Sequence, residues 1–214
     1  MVLLTLRMLV RVNENNIRSE TISQIVDCLK SGGIIIYPTD TVYALGCDIT
    51  QSRSIEKICR LKGIKPEKSN FSFVCSDLSQ LSEFTKAIPN HVFRVMKKAL
   101  PGPYTFILEA NNHVPKLLKQ NRKTVGIRVP DNPICREIVR QLGNPLISTS
   151  LLDADDDILE YFADPEVINS RYGELVDMVV DGGFGNIYPS TVIDCSNEEF
   201  EVVREGLGSL EVLN

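Results

Sequence analysis

The chain predicts an α/β fold: a single domain, residues 1–214, on a large, mixed and twisted sheet with flanking helices. Three observations lead there. Helical and strand periodicities alternate along the whole length. No repeat and no low-complexity linker interrupts them. At 214 residues the chain fits one large domain or two small ones, and it can bury a full core.

The elements follow in order. Met1 to Val12 is apolar but broken by Arg7 and Arg11; it lacks the marks of a signal peptide and reads as a first strand. Ile22, Ile25, Val26 and Leu29 recur at helical spacing and end at Ser31-Gly32-Gly33, a helix stop. The β-branched run 34–37 is a buried strand that breaks at Pro38, whose fixed φ starts a polar turn holding Thr39, Asp40, Thr41 and Tyr43. Ile55, Ile58 and Cys59 mark a second helix, and Phe71–Cys75 a core strand. Val92, Val95, Met96 and Ala99 give a third helix, stopped by Pro101-Gly102-Pro103. Tyr104–Leu108 and Thr124–Val129 are strands, and Cys135, Ile138, Val139 and Leu142 a helix ending at Gly143. Leu146–Thr149, Met178–Val180, Thr191–Asp194 and Phe200–Val203 complete the strands. Asp153–Asp157 reads as an exposed loop before a helix begun by Asp164-Pro165, with a metal-binding cluster of carboxylates as the alternative.

Composition narrows the function. Hydrophobic content of 43% with 24% charged residues is that of an ordinary globular protein, and no apolar run approaches the roughly 18 residues needed to span a membrane. The six cysteines form no Cys-x-x-Cys pair and sit among apolar residues, which predicts buried free thiols and a cytoplasmic location. Two histidines without metal-like spacing predict no metal centre. The net charge of −5 conceals an asymmetry: residues 53–128 hold 15 Lys+Arg against 5 Asp+Glu, and the rest 8 against 23. A basic middle third predicts an anionic partner, nucleotide phosphates or RNA.

Six segments carry the chemistry. They are Pro38-Thr39-Asp40-Thr41-Val42-Tyr43-Ala44-Leu45-Gly46, Pro101-Gly102-Pro103-Tyr104-Thr105, Thr124-Val125-Gly126-Ile127-Arg128-Val129-Pro130, Pro145 to Ser150, Asp181-Gly182-Gly183 with Ser190-Thr191-Val192-Ile193-Asp194, and Arg204-Glu205-Gly206. In this order and spacing they resemble the YrdC/YciO family, whose best-known members are threonylcarbamoyl-AMP synthases. Ala44 stands where the family usually has glycine.

The resemblance implies a YrdC-like domain with a concave basic surface. It also implies a reaction. Threonine and bicarbonate form a carbamate, which attacks the α-phosphate of ATP and expels pyrophosphate. Such a step needs positioning and cations rather than a covalent nucleophile. By resemblance, Thr39, Thr41, Arg128 and Ser190 would hold L-threonine. Lys65, Asn70, Thr124, Ser148, Ser150, Thr191 and Arg204 would contact the nucleotide. Lys62, Lys65 and Arg128 would carry catalysis, with ATP as substrate alongside Mg2+. Product made this way would feed threonylcarbamoyladenosine formation in tRNA.

Departures accompany the match. The family's Lys-x-Arg-Pro clamp is here Lys62-Gly63-Ile64-Lys65-Pro66, with one extra residue and lysine for arginine. Cys75 falls where a threonine-contacting histidine is common, and Leu152 replaces an asparagine. Ser148-Thr149-Ser150-Leu151 resembles the YciO branch. Two alternatives follow: a paralogue that binds double-stranded RNA or tRNA with altered synthase chemistry, and a hydrolase using Cys75 or Cys47.

Overall fold

In the computed structural model, which describes residues 8–66, 69–119, 123–151, 163–197 and 199–213, the predicted alternation becomes one ten-stranded sheet with helices on both faces. The strands are β1 Met8–Arg11, β2 Ile35–Tyr37, β3 Ala44–Asp48, β4 Ser72–Val74, β5 Tyr104–Glu109, β6 Thr124–Arg128, β7 Leu146–Ser150, β8 Met178–Asp181, β9 Thr191–Asp194 and β10 Glu201–Arg204. The helices are α1 Ser19–Lys30, α2 Ser52–Leu61, α3 Asn90–Ala99, α4 Lys116–Lys119, α5 Pro133–Leu142 and α6 Pro165–Tyr172. Strand order is β1-β8-β2-β3-β7-β4-β6-β5-β9-β10. It is mixed: β1/β8, β2/β8, β4/β6 and β5/β9 are parallel, and the other neighbours antiparallel.

Local chemistry explains the helix ends. Pro133 opens α5 behind Asn132, whose side chain accepts from the Cys135 amide, and Gly143 closes it at φ +80°, a conformation costly for any residue with a Cβ. Asp164 caps α6 by accepting from the Glu166 amide ahead of Pro165.

β3 is absent from the sequence reading. Its Ala-Leu-Gly-Cys-Asp sequence lacks the β-branched run that marks β2. Pairing on both sides, with β2 and β7, makes it a strand, and Gly46 shows why its residues are small. A Cβ at Gly46 would lie 2.6 Å from the Ile147 carbonyl oxygen and 3.0 Å from the Tyr37 ring. The short 3₁₀ segment Leu78–Glu83 and α4 also carry no sequence signal strong enough to predict them.

Alternation along the strands divides the core in two. One face carries Ile36, Leu45, Phe73, Phe106, Ile127, Ile147 and Ile193 into a large cluster that includes residues of α2 and α3. The other carries Ile35, Tyr37, Ala44, Val74 and Leu146 against α1 and α5. Those two helices cover only part of that face. The sheet from β7 through β4, β6 and β5 continues beyond them, lined with small polar residues. Among the described residues no helix is long and apolar enough to cross a membrane. The expected loop at Asp153–Asp157 and Leu152 lie outside the described residues.

Candidate functional site

Register builds the site. Gly46, Ser148, Ser72 and Gly126 stand in line across β3, β7, β4 and β6. Residues two apart on a strand share its face, so Ser150 joins Ser148, and Thr124 and Arg128 join Gly126. A Cβ on Gly126 would meet Ser72 Oγ at 3.3 Å and Thr105 Cγ2 at 3.4 Å, which places those three side by side. The result is a shallow floor of hydroxyls with a glycine at its centre. Tyr37, fully buried on the same face, packs over Gly46 at one end of the floor and donates to Ser148 Oγ at 2.7 Å, so the Ser148 hydroxyl keeps its own proton to donate.

The turn between β2 and β3 folds over this floor. Arg128 Nη2 donates to Asp40 Oδ1 and to Thr41 Oγ1, each at 2.9 Å. Asp40 Oδ2 accepts from the Asp131 amide at 3.0 Å. Thr39 Oγ1 donates to the Val42 carbonyl and accepts from the Thr41 amide, so Thr41 donates its own hydroxyl proton to Thr39 at 3.1 Å. Arg128 and Asp40 side chains are each 9% exposed, and Arg128 Nε is buried with no hydrogen-bond partner. An orphaned guanidinium N–H beside a hydroxyl floor is the mark of an anion site.

A second cation stands nearby. Arg204 donates through Nε and Nη2 to the Ser190 carbonyl at 3.1 and 2.9 Å, and Nη2 lies 3.3 Å from Ser190 Oγ. Ser190 Oγ is in turn 2.9 Å from Thr105 Oγ1. Burial first, and repulsion from Arg128 second, hold the Arg204 guanidinium below its ordinary pKa. Two guanidinium groups close enough to repel are stabilised by an anion between them.

On the other face of the sheet Tyr43 packs in the core cluster and ties the turn to Gly182 and Gly183. Its hydroxyl accepts from the Gly182 amide at 3.1 Å and donates to the Gly183 carbonyl at 2.7 Å. Burial raises that hydroxyl's pKa to about 12, so it stays protonated. Lys62, half-buried at the end of α2, reaches the Leu151 carbonyl at 3.3 Å, which brings the clamp-like segment to the end of β7. Lys65 and Asn70 are exposed.

Several sequence expectations change. Thr191 does not face the floor. Its hydroxyl donates to the Gly208 carbonyl at 2.6 Å and accepts from the Gly206 amide at 3.0 Å, fully buried, because it is next to Ser190 on a strand and must point the other way. Thr39 is spent inside its own turn rather than presented to a ligand. Cys75 joins the core cluster on the opposite face from Ser72, so it cannot take a threonine-contacting role. Its thiol is pushed up to about 12 by burial, then by Asp77 and Glu83. Burial likewise raises Cys47, and both thiols are buried in the core cluster on the face away from the hydroxyl floor, which leaves the hydrolase alternative without support. The six cysteines are free, and all but the half-buried Cys28 are buried. Ser72, Thr105, Tyr37 and Gly126 were missed as site residues, though the parity of Thr124-Val125-Gly126-Ile127-Arg128 carries the signal.

Gly126→Val should abolish ligand binding at this floor while leaving the melting temperature within a few degrees of wild type. A valine fits the strand but fills the space above Ser72. Calorimetric titration with ATP beside a thermal melt checks both halves.

Comparison with known proteins identifies the family and the fold. The uncharacterized protein YciO of Escherichia coli K12 is 42% identical over 201 residues, 94% of this chain and 96% of its own. The crystal structure of E. coli YciO superposes with a TM-score of 0.88 at 40% identity, covering 97% of this chain and 99% of that one. A threonylcarbamoyl-AMP synthase of Coxiella burnetii is 27% identical over 175 residues, 82% of this chain and 92% of its own. Sua5 of P. abyssi, solved in complex with L-threonine, shares the fold at a TM-score of 0.82 and 24% identity, over 93% of this chain and 57% of that one. The Sua5/yciO/yrdC family model, described as telomere recombination, matches residues 27–206, and on that span, which holds the floor, the turn and both arginines, the chain belongs to the Sua5/YciO/YrdC family.

Proposed function

We propose that the chain binds ATP and L-threonine and has threonylcarbamoyl-AMP synthase-type chemistry, supplying an activated threonylcarbamoyl group for tRNA modification. The observation that carries this reading is Arg128: a buried guanidinium with an orphaned Nε, set between a hydroxyl floor and a second arginine. Arg128 suits the carboxylate of threonine, with Thr41, fully buried and bonded to Arg128 and Thr39, fixing where the guanidinium sits. Ser72, Ser148, Ser150 and Thr124, with Arg204 and Ser190, suit phosphates. The carbamate formed from threonine and bicarbonate would attack the α-phosphate of MgATP, forming the C–O–P anhydride while pyrophosphate leaves with the bonding pair. The protein's share is positioning three anions and spreading their charge over Lys62, Arg128 and Arg204. The likeness to the Coxiella synthase and to Sua5 supports the same choice of substrates.

The test is product analysis by mass spectrometry after incubation with ATP, bicarbonate and L-threonine. The expected result is threonylcarbamoyl-AMP and pyrophosphate in equal amounts. Binding is checked separately. ATP at about 100 times its dissociation constant should stabilise the fold by roughly 2.7 kcal/mol, a rise of several degrees. Arg204→Ala should remove most of that rise, with a smaller loss in the ligand-free protein from its bonds to Ser190. No thermal shift with millimolar ATP, with or without threonine and magnesium, sinks the proposal.

The RNA-binding alternative has less to rest on. Within the basic span Lys57 pairs with Asp177, Lys86 with Glu109, and Arg128 is buried with Asp40, so part of the surplus is spent internally. The side chain of Lys119 and all of Arg122 lie outside the described residues.

A further inference from the structure

Resting on the reading that a carboxylate ligand binds at Arg128, we propose that Asp40 is a latch. It is a resident carboxylate that occupies the arginine in the free protein and is exchanged for the carboxylate of an incoming ligand.

The hydrogen count requires an exchange. A guanidinium grips a carboxylate with two prongs either side-on, through Nε and Nη2, or end-on, through both terminal nitrogens. Each grip needs a hydrogen on Nη2. That nitrogen has two, and Asp40 Oδ1 and Thr41 Oγ1 take them both at 2.9 Å. Nε, the other half of the side-on grip, is buried and unpaired. The free protein therefore leaves a costly N–H unsatisfied beside an Nη2 that is fully spent. A ligand carboxylate that displaces Asp40 from Nη2 can satisfy both atoms at once.

The surroundings make Asp40 the group that yields. Thr41 is held from both sides, by Arg128 and by the relay to Thr39 and Val42. Asp40 has an alternative partner already in place, since its Oδ2 is on the Asp131 amide at 3.0 Å. Asp40 also supplies the negative charge that lets Arg128 and Arg204 sit together without a ligand. An arriving carboxylate takes over that duty, and two carboxylates on one Nη2 would repel. The latch selects for chemistry as well. Only a ligand presenting its own carboxylate replaces what Asp40 gave, so an amino acid opens the turn and its alcohol analogue does not.

The experiment compares wild type with Asp40→Asn by calorimetric titration with L-threonine, and by thermal melts. The substitution keeps size and an acceptor but removes the charge that competes. The ligand-free melting temperature should fall, and the Kd for L-threonine should drop about tenfold, as expected when the latched form is about ten times the open one. A purely structural Asp40 would lower the melting temperature without tightening binding. As a measurement on wild type alone, the Arg128 Nε–H resonance should shift on addition of L-threonine and not of L-threoninol. Wild type that binds neither ATP nor L-threonine overturns the functional reading and the latch with it. Wild type that binds L-threonine, while Asp40→Asn binds it no better or the Nε–H resonance stays unmoved, overturns the latch alone.

Discussion

Arg128→Ala should be the most damaging single substitution in the protein, on stability and binding together. Its side chain and that of Asp40 are both 9% exposed, so alanine leaves a buried carboxylate facing no cation. Breaking a buried pair from one side costs about 3–5 kcal/mol. In a domain of this size that is a fall of roughly ten degrees in melting temperature. The same change removes the guanidinium proposed to hold a ligand carboxylate by two prongs, which should cost roughly 30-fold or more in affinity from an expected 2–5 kcal/mol. Arg128→Lys separates the two effects. Lysine keeps a positive charge beside Asp40 and should recover part of the stability, but it lacks the planar fork and should not recover binding. Thermal melts and titration with L-threonine on the three proteins decide it. Threonine affinity unchanged in Arg128→Ala would place the ligand elsewhere.

What the sequence disclosed follows from strand parity. β2, β5 and β6 were legible because β-branched and aromatic runs mark strands buried on at least one face. Arg128 was offered as a site residue by the family resemblance, and its parity on β6 puts it on the same face as Gly126 and Thr124. Ser148 and Ser150 came from the same resemblance, and being two apart on β7 they share one face. Thr191 failed on the same rule: adjacent strand residues cannot both face a ligand, and Ser190 takes the site side. β3 and Ser72 were hidden because their meaning lies in neighbours far along the chain. Gly46 is small because Ile147 and Tyr37 crowd it, and Ser72 matters because Gly126 beside it has no side chain. The partnership of Asp40 with Arg128 spans 88 residues, which no local pattern reveals.

The second large effect concerns rate. The chain should form threonylcarbamoyl-AMP on the order of a hundredfold or more slower than the Coxiella burnetii synthase assayed side by side, the usual cost of losing one charge-stabilising donor. The donors in question are the arginine of the clamp and the amide after the β7 strand. In their places stand Lys65, exposed beyond Gly63, and Leu152. Lys62 is tied to the Leu151 carbonyl at 3.3 Å, so a charge stays at the end of β7. What is missing is geometry: an ammonium is a point charge, whereas pyrophosphate leaving in line is best held by a planar fork. Lys65→Arg with Leu152→Asn should therefore raise the turnover number more than it changes the Michaelis constant for L-threonine, because on the proposed reading the amino acid is held at Arg128, away from both substitutions. A wild-type rate equal to the synthase's would show that the floor and the two arginines suffice without the clamp. A double variant no faster than wild type would locate the deficit in the ligand's entry past Asp40 rather than in the phosphate contacts.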